Sequence, residues 1–228
     1  QEVIRNGNYE FEANEEGTYT IHAIAKDKGE HTVEMERTFQ IDSSRPEIKQ
    51  VAVTGHKKDG YSWYDDSVQI SADLTDGQSG LKQMEIQING NPYKKESYQN
   101  EKESHIEVPI PKTWIQEHSS KNGSYSVQIQ VVDAAGNISK EHCSFQADVT
   151  DPSVSVSGID EGAFTNAMPM IKIENLDDYA QEGSIHIEIK KDNVIMDAYE
   201  RKGSSVNITI KHDGIYCISA YAVDAAGN

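Results

Sequence analysis

The chain has 228 residues, more than one compact β domain usually holds, so two modules and a fragment are the first expectation. A net charge of −17 and a pI near 4.8 make a surface that repels phosphate backbones and anionic membranes, which argues against nucleic acid as a partner. No apolar run approaches the roughly 20 residues that cross a bilayer, so no membrane insertion is expected of this fragment.

The start, Gln1-Glu2-Val3, lacks the charged and apolar regions of a signal peptide, and any targeting segment is expected to have been removed or to lie outside the chain. In chain order, the first regular element is Gly17-Thr-Tyr19-Thr-Ile21, an alternating strand that leads to Asp27, with Phe39 and Pro46 twelve and nineteen residues beyond it. Next come an aromatic segment with Tyr61, Trp63 and Tyr64, the alternating strand Val68-Gln-Ile70-Ser-Ala72, and the acidic turn Asp76-Gly-Gln-Ser79-Gly80. Between Pro111 and Ser119, a proline followed by Trp114 and Ile115 predicts a turn or two of helix, with Pro111 in the first-turn position.

The opening pattern then returns in register. Gly123-Ser-Tyr125-Ser-Val127 leads to Asp133, Phe145 and Pro152, and Gly214-Ile-Tyr216-Cys-Ile218 leads to Asp224. Each Asp lies ten residues after its Gly. Every copy reads as a strand, a tight turn, a return strand and a stiff proline junction. In Asp133-Ala-Ala-Gly136-Asn137, the alanines suit a type I turn, Gly136 the left-handed residue, and the Asp carboxylate accepts turn amides. The first copy has drifted to Asp27-Lys-Gly29-Glu and loses the Asn. Tyr19, Tyr125 and Tyr216 precede an aliphatic position by two residues, as in a tyrosine corner, and Ile21, Val127 and Ile218 stand where a cross-linking cysteine would be. Cys143 and Cys217 give no disulfide framework, so packing must carry stability.

Taken together, Gly60-Tyr-Ser-Trp63-Tyr64, Gly162-Ala-Phe164-Thr-Asn166, the acidic Ser-Gly turn and the two Asp-Ala-Ala-Gly-Asn copies resemble the bacterial immunoglobulin-like repeat modules of Gram-positive cell-surface proteins. The resemblance spans nearly the whole chain. It departs in the last module, where Leu176-Asp-Asp-Tyr-Ala-Gln-Glu-Gly183 replaces the Ser-Gly turn. It implies an all-β chain of tandem Greek-key sandwiches in an elongated arrangement. Residues 1–43 are the end of one module, 44–148 a complete module and 149–228 a module cut before its last strand. An open edge there predicts strand-mediated self-association.

No nucleophile elbow, phosphate loop or dinucleotide fingerprint appears, and the eight histidines have no metal-ligand spacing. His142 and Cys143, adjacent on a strand, point to opposite faces and cannot act as base and nucleophile; Cys143 reads as a small core residue. No enzyme is expected. Two binding sites are candidates, each beside a plainer structural reading. Calcium at a module junction would take oxygen ligands from Asp133 and Asn137 in the hairpin and Asp148 and Asp151 in the linker; the competing reading is that Asp133 and Asn137 satisfy turn amides and Asp148 and Asp151 are solvated linker residues. Tyr61, Trp63 and Tyr64 would, if exposed, stack on a polysaccharide, while packing is the competing reading. The expected role is a non-catalytic stalk or adhesion module, outside a bacterium on its surface or wall, engaging host matrix protein or polysaccharide. The alternative is an accessory module of a secreted carbohydrate-active enzyme.

Overall fold

A computed structural model describes residues 10–120 and 122–228, so the Gln1-Glu2-Val3 start lies outside the described residues. Among the described residues the chain is all-β apart from one short helix. Strands β1 (Gly17–Lys26) and β2 (Thr32–Ile41) form an antiparallel hairpin in which Gly17 faces Ile41. Next come β3 (Glu47–Gly55), β4 (Val68–Thr75), β5 (Leu81–Ile88), β6 (Asn91–Glu101), β7 (Glu103–Ile110), helix α1 (Lys112–Glu117), β8 (Ser124–Asp133) and β9 (Ile138–Gln146). They form two sheets, ordered β3-β4-β7 and β6-β5-β8-β9. The remaining strands are β10 (Val154–Ser157), β11 (Met170–Asn175), β12 (Ser184–Lys191), β13 (Val194–Lys202), β14 (Ser205–Thr209) and β15 (Tyr216–Val223). Their sheets, β10-β11-β14 and β13-β12-β15, repeat the same layout as far as the counterpart of β8. Among the described residues, no strand pairing joins one of these three groups to another.

Alternation in the sequence builds the middle core. In β4, Val68, Ile70, Ala72 and Leu74 are buried while Gln69, Ser71, Asp73 and Thr75 stay partly exposed, as a period of two requires. Strand β5 breaks the period once, from Leu81 to Met84, and there the register of both its pairings shifts. A bulge adds one residue and returns Met84, Ile86 and Ile88 to the inner face. Tyr125, Val127, Ile129 and Val131 of β8 extend this face within the same sheet, and Ile106, Val108 and Ile110 of β7 join the core from the other sheet. The last group has a smaller aliphatic core of Ile171, Ile173, Ile185, Ile187, Ile189 and Ile208.

The helix begins one residue later than the proline pattern predicts. Pro111 is its N-cap, with extended backbone, and Ile115 is its one buried residue. The tyrosines divide. The Tyr19 hydroxyl donates to the Glu15 carbonyl at 2.8 Å, the local return of a tyrosine corner, whereas Tyr125 reaches back to Ile115 on the helix at 3.3 Å. Tyr125 also stacks on Phe145 with centroids 4.9 Å apart, so in the middle sandwich it is as much core as corner. Of the aliphatic positions paired with these tyrosines, Val127 is buried, Ile218 half-buried and Ile21 exposed. Cys143 lies half-buried against the core, where burial pushes its thiol up, and Cys217 is exposed.

Ile129 is fully enclosed, so Ile129→Ala is expected to cost about 2–5 kcal/mol in denaturant unfolding. Ile138, 45% exposed on β9, serves as the control: Ile138→Thr should stay within about 0.5 kcal/mol.

Candidate functional site

The repeated turn is built by its own side chains. Asp133 Oδ1 accepts the amides of Gly136 at 2.6 Å and Asn137 at 2.8 Å, and its Oδ2 accepts Asn137 Nδ2 at 2.8 Å. Asp224 does the same: Oδ1 accepts the amides of Ala226 and Asn228, both at 2.8 Å, and Oδ2 accepts Asn228 Nδ2 at 2.9 Å. Gly136 and Gly227 supply the left-handed residue, with φ of 98° and 86°. The drifted first copy keeps this chemistry with other residues. Asp27 Oδ1 accepts the Gly29 and His31 amides, Glu30 takes the left-handed conformation, and His31 Nδ1 meets Asp27 Oδ2 at 3.0 Å in place of the missing Asn.

Held in this way, each Asn points its second amide proton out of its own sandwich. Asn137 Nδ2 donates to the Asp42 carbonyl at 3.1 Å, and Asn228 Nδ2 donates to the Asp148 carbonyl at 3.0 Å. Asp42 and Asp148 occupy the same place in the repeat, fifteen residues after Asp27 and Asp133. Each hairpin therefore clasps the linker that precedes its own sandwich. A second loop closes each joint. In the first, Ser79 donates its amide to Asp42 Oδ2 at 2.9 Å, and Gly80, at φ 87°, places its carbonyl 2.8 Å from the Ala134 amide. A Cβ on Gly80 would overlap the Asn100 backbone, so the loop needs glycine there for space as well as for φ. In the second joint, Tyr179 packs edge-on against Trp63 at 5.2 Å, with Ala226 completing a small apolar cluster. The Tyr179 hydroxyl donates to the Ser120 carbonyl, and Lys58 Nζ donates to Gly227 O at 2.9 Å.

Linker, loop and hairpin bring three carboxylates together at each joint: Asp42, Asp76 and Asp133 at the first, and Asp148, Asp177 and Asp224 at the second. In each trio, one oxygen per residue lies within 4.8 Å of the other two. Their electrostatics differ. Burial would raise Asp42, but the hydroxyl and amide of Ser79, the Ser44 amide and the charge of Lys102 outweigh it and hold the carboxyl below its ordinary range. Asp148 goes the other way. Burial pushes it up to about 7; the Thr150 amide opposes this, and the charges of Asp224, Asp177 and Asp178 add to it. Asp177 is raised by burial too, against the Tyr179 amide and with Asp224 and Asp178 beside it.

The four oxygen ligands expected at one junction are split between two. Asp133 and Asn137 sit at the first joint, Asp148 at the second, and exposed Asp151 belongs to neither trio. The reason is length. Strand β9, nine residues at about 3.3 Å each, carries the chain roughly 30 Å from the hairpin to the following linker, so the two lie at opposite ends of a sandwich. Of the two readings of the aromatic segment, the structure shows packing. Trp63 is 4% exposed against Tyr179, and Tyr64 is 9% exposed in the core with its hydroxyl on the Val53 carbonyl at 2.9 Å. Only Tyr61, against Gly227, keeps an open face, so the three form no sugar-stacking platform. Asp42, Asp76, Asp177 and Asp224 escape a reading that pairs each hairpin with the linker after it. The register itself carries the signal, since Asp42 and Asp148 are equivalent positions.

No family model matches the chain, and no curated protein matches it. Among solved structures it is similar to a tetra-tandem repeat in the extending region of a large adhesion protein, with a TM-score of 0.46 and 16% identity over 93% of this chain. It spans 54% of that chain, about half its length. It is also similar to a structure of a 1.5-MDa bacterial ice-binding adhesin (TM-score 0.29, 13% identity, 91% of this chain and 73% of that one). A third likeness is to the fibronectin(III)-like modules of Clostridium thermocellum CbhA (TM-score 0.29, 13% identity, 77% and 87%). Each is a likeness of fold. Sheets and joints together define a tandem array of immunoglobulin-like β-sandwiches.

The raised Asp148 gives a pH prediction with a definite sign. Below about pH 4 the group is protonated in the folded and unfolded chain alike; from there to about 7 only the unfolded chain releases its proton, so stability falls as pH rises. Asp148→Asn keeps an oxygen for the Thr150 amide and removes the charge. In chelator-containing buffer it is expected to raise the melting temperature at about pH 8 and to leave it nearly unchanged at about pH 4. Equal shifts at both values would contradict the assignment.

Proposed function

We propose that this chain is a non-catalytic stalk and adhesion segment of a bacterial surface protein, working outside the cell at the surface or wall. The observation that carries the reading is the clasp repeated at both joints, Asn137 to the Asp42 carbonyl and Asn228 to the Asp148 carbonyl. A spacer must transmit position from one module to the next, and a side-chain amide fixed by its own turn does so with little flexibility to lose. The linkers support it: Pro46 and Pro152 each fix φ close to the clasped residue. An acidic, polar surface, with a mean hydropathy of −0.67, suits a long-lived exposed rod. Contacts with host matrix protein or polysaccharide belong to the array as a whole, in which several weak sites add.

Small-angle scattering tests the spacer reading. The chain is expected to scatter as an elongated particle of defined maximum dimension, and the double variant Asn137→Ala, Asn228→Ala as a broader distribution with both sandwiches still folded by circular dichroism. A compact parent, or a double variant with the parent's profile, would overturn it.

A further inference from the structure

The two joints share an architecture but not a hydrogen-bond inventory. At the first, every carboxylate of the trio has a donor. Asp42 takes the Ser44 amide on Oδ1 and the Ser79 amide on Oδ2, Asp76 takes the Gly80 amide at 2.5 Å, and Asp133 is fully engaged by its own turn. At the second, Asp148 is 5% exposed and its Oδ2 has no hydrogen-bond partner. Oδ1 is taken by the Thr150 amide at 3.0 Å. The donor that Ser79 supplies to the first joint has no counterpart, because the 176–183 loop turns its Asp177 carboxylate onto the Tyr179 amide at 2.7 Å and sends Tyr179 to Trp63.

A buried carboxylate oxygen without a donor, beside two further carboxylates, is a cost the fold would not carry uncompensated. Among the described residues no Lys or Arg forms an ion pair with Asp148, Asp177 or Asp224, and Lys58 is bonded to Gly227 O and Asn228 Oδ1 instead. The trio offers oxygen only, with neither imidazole nor thiolate, which selects a hard cation over zinc. Oxygens within 4.8 Å of one another can share one ion whose bonds are about 2.3–2.6 Å, the calcium range; the shorter bonds of magnesium, about 2.0–2.1 Å, would need a tighter set.

We propose that Asp148, Asp177 and Asp224 bind one divalent cation of the calcium type at the second joint, and that the first joint is closed by hydrogen bonds without one. Water completes the coordination. The ion ties linker, loop and hairpin into one unit, so it stiffens the second joint beyond what the Asn228 clasp provides alone. This consequence rests on the spacer reading, while the binding itself does not.

Isothermal titration of calcium chloride into chelator-treated protein separates the two. One site is expected per chain, with Asp42→Asn leaving it intact and Asp148→Asn weakening it at least tenfold while the chain stays folded by circular dichroism. Terbium luminescence excited through Trp63 and Tyr179 gives a second readout, expected in the parent and in Asp42→Asn and lost in Asp148→Asn. No binding, or binding that survives Asp148→Asn, overturns the site. Two sites, one of them lost in Asp42→Asn, overturn the difference between the joints. One site without any calcium-dependent change in scattering leaves the site standing and counts against the spacer reading.

Discussion

The arrangement depends on one interaction, the carboxylate of the hairpin aspartate turned back onto its own turn. Asp133 and Asp224 are almost fully buried, at 0% and 1% exposure, a position that a charged group tolerates only when donors surround it. The turn supplies them as two backbone amides and the Asn amide. The exchange is mutual. The carboxylate is satisfied, the turn acquires a fixed shape, and the Asn side chain loses its rotational freedom with one proton still to donate. That proton goes to the linker carbonyl, so the donor at each joint is held in place by its own turn.

Most of the fold is legible in the chain because the signals are local and repeated. Alternation places the buried residues of β4 and β8, and the glycine-to-aspartate interval marks each hairpin. The His31 substitution is also legible in retrospect, since it stands four residues after Asp27, the interval from Asp133 to Asn137. The joints are another matter. Which hairpin meets which linker depends on the direction in which β9 leaves the turn, a property of strand length that no single motif carries. In the aromatic segment the packing partner is what the sequence hides, for a related reason. Its alternation marks a strand-like run, yet Trp63 is covered by Tyr179, which arrives from a loop more than a hundred residues away.

The difference between the joints shows how little separates a closed site from an open one. The two loops occupy the same place and both contribute an aspartate, Asp76 and Asp177. Ser79 presents an amide and a hydroxyl to the joint, to Asp42 and to the Ala135 amide respectively; the 176–183 loop has an aromatic ring there instead. The second joint thereby gains apolar contact through Trp63, Tyr179 and Ala226 and gives up a donor. In a chain of net charge −17 carboxylates are abundant, so the presence of an acidic trio means less than the state of its individual oxygens.

The clasp also fixes the kind of array the repeat can make. The hairpin, which donates to the preceding linker, and the following linker, which accepts from the next hairpin, lie at opposite ends of a sandwich, so each contact is heterologous. Nothing in such a contact pairs a surface with its own copy. Each added module offers a new linker to the next hairpin, and the energy of the array becomes a sum over neighbouring pairs. A hairpin can then change its chemistry, from Asn137 to His31, and a loop its contact, from the Ser79 amide to the Tyr179 ring, while the strands keep the same layout. The strand layout is shared, so the two joints differ only in the few side chains between linker, loop and hairpin.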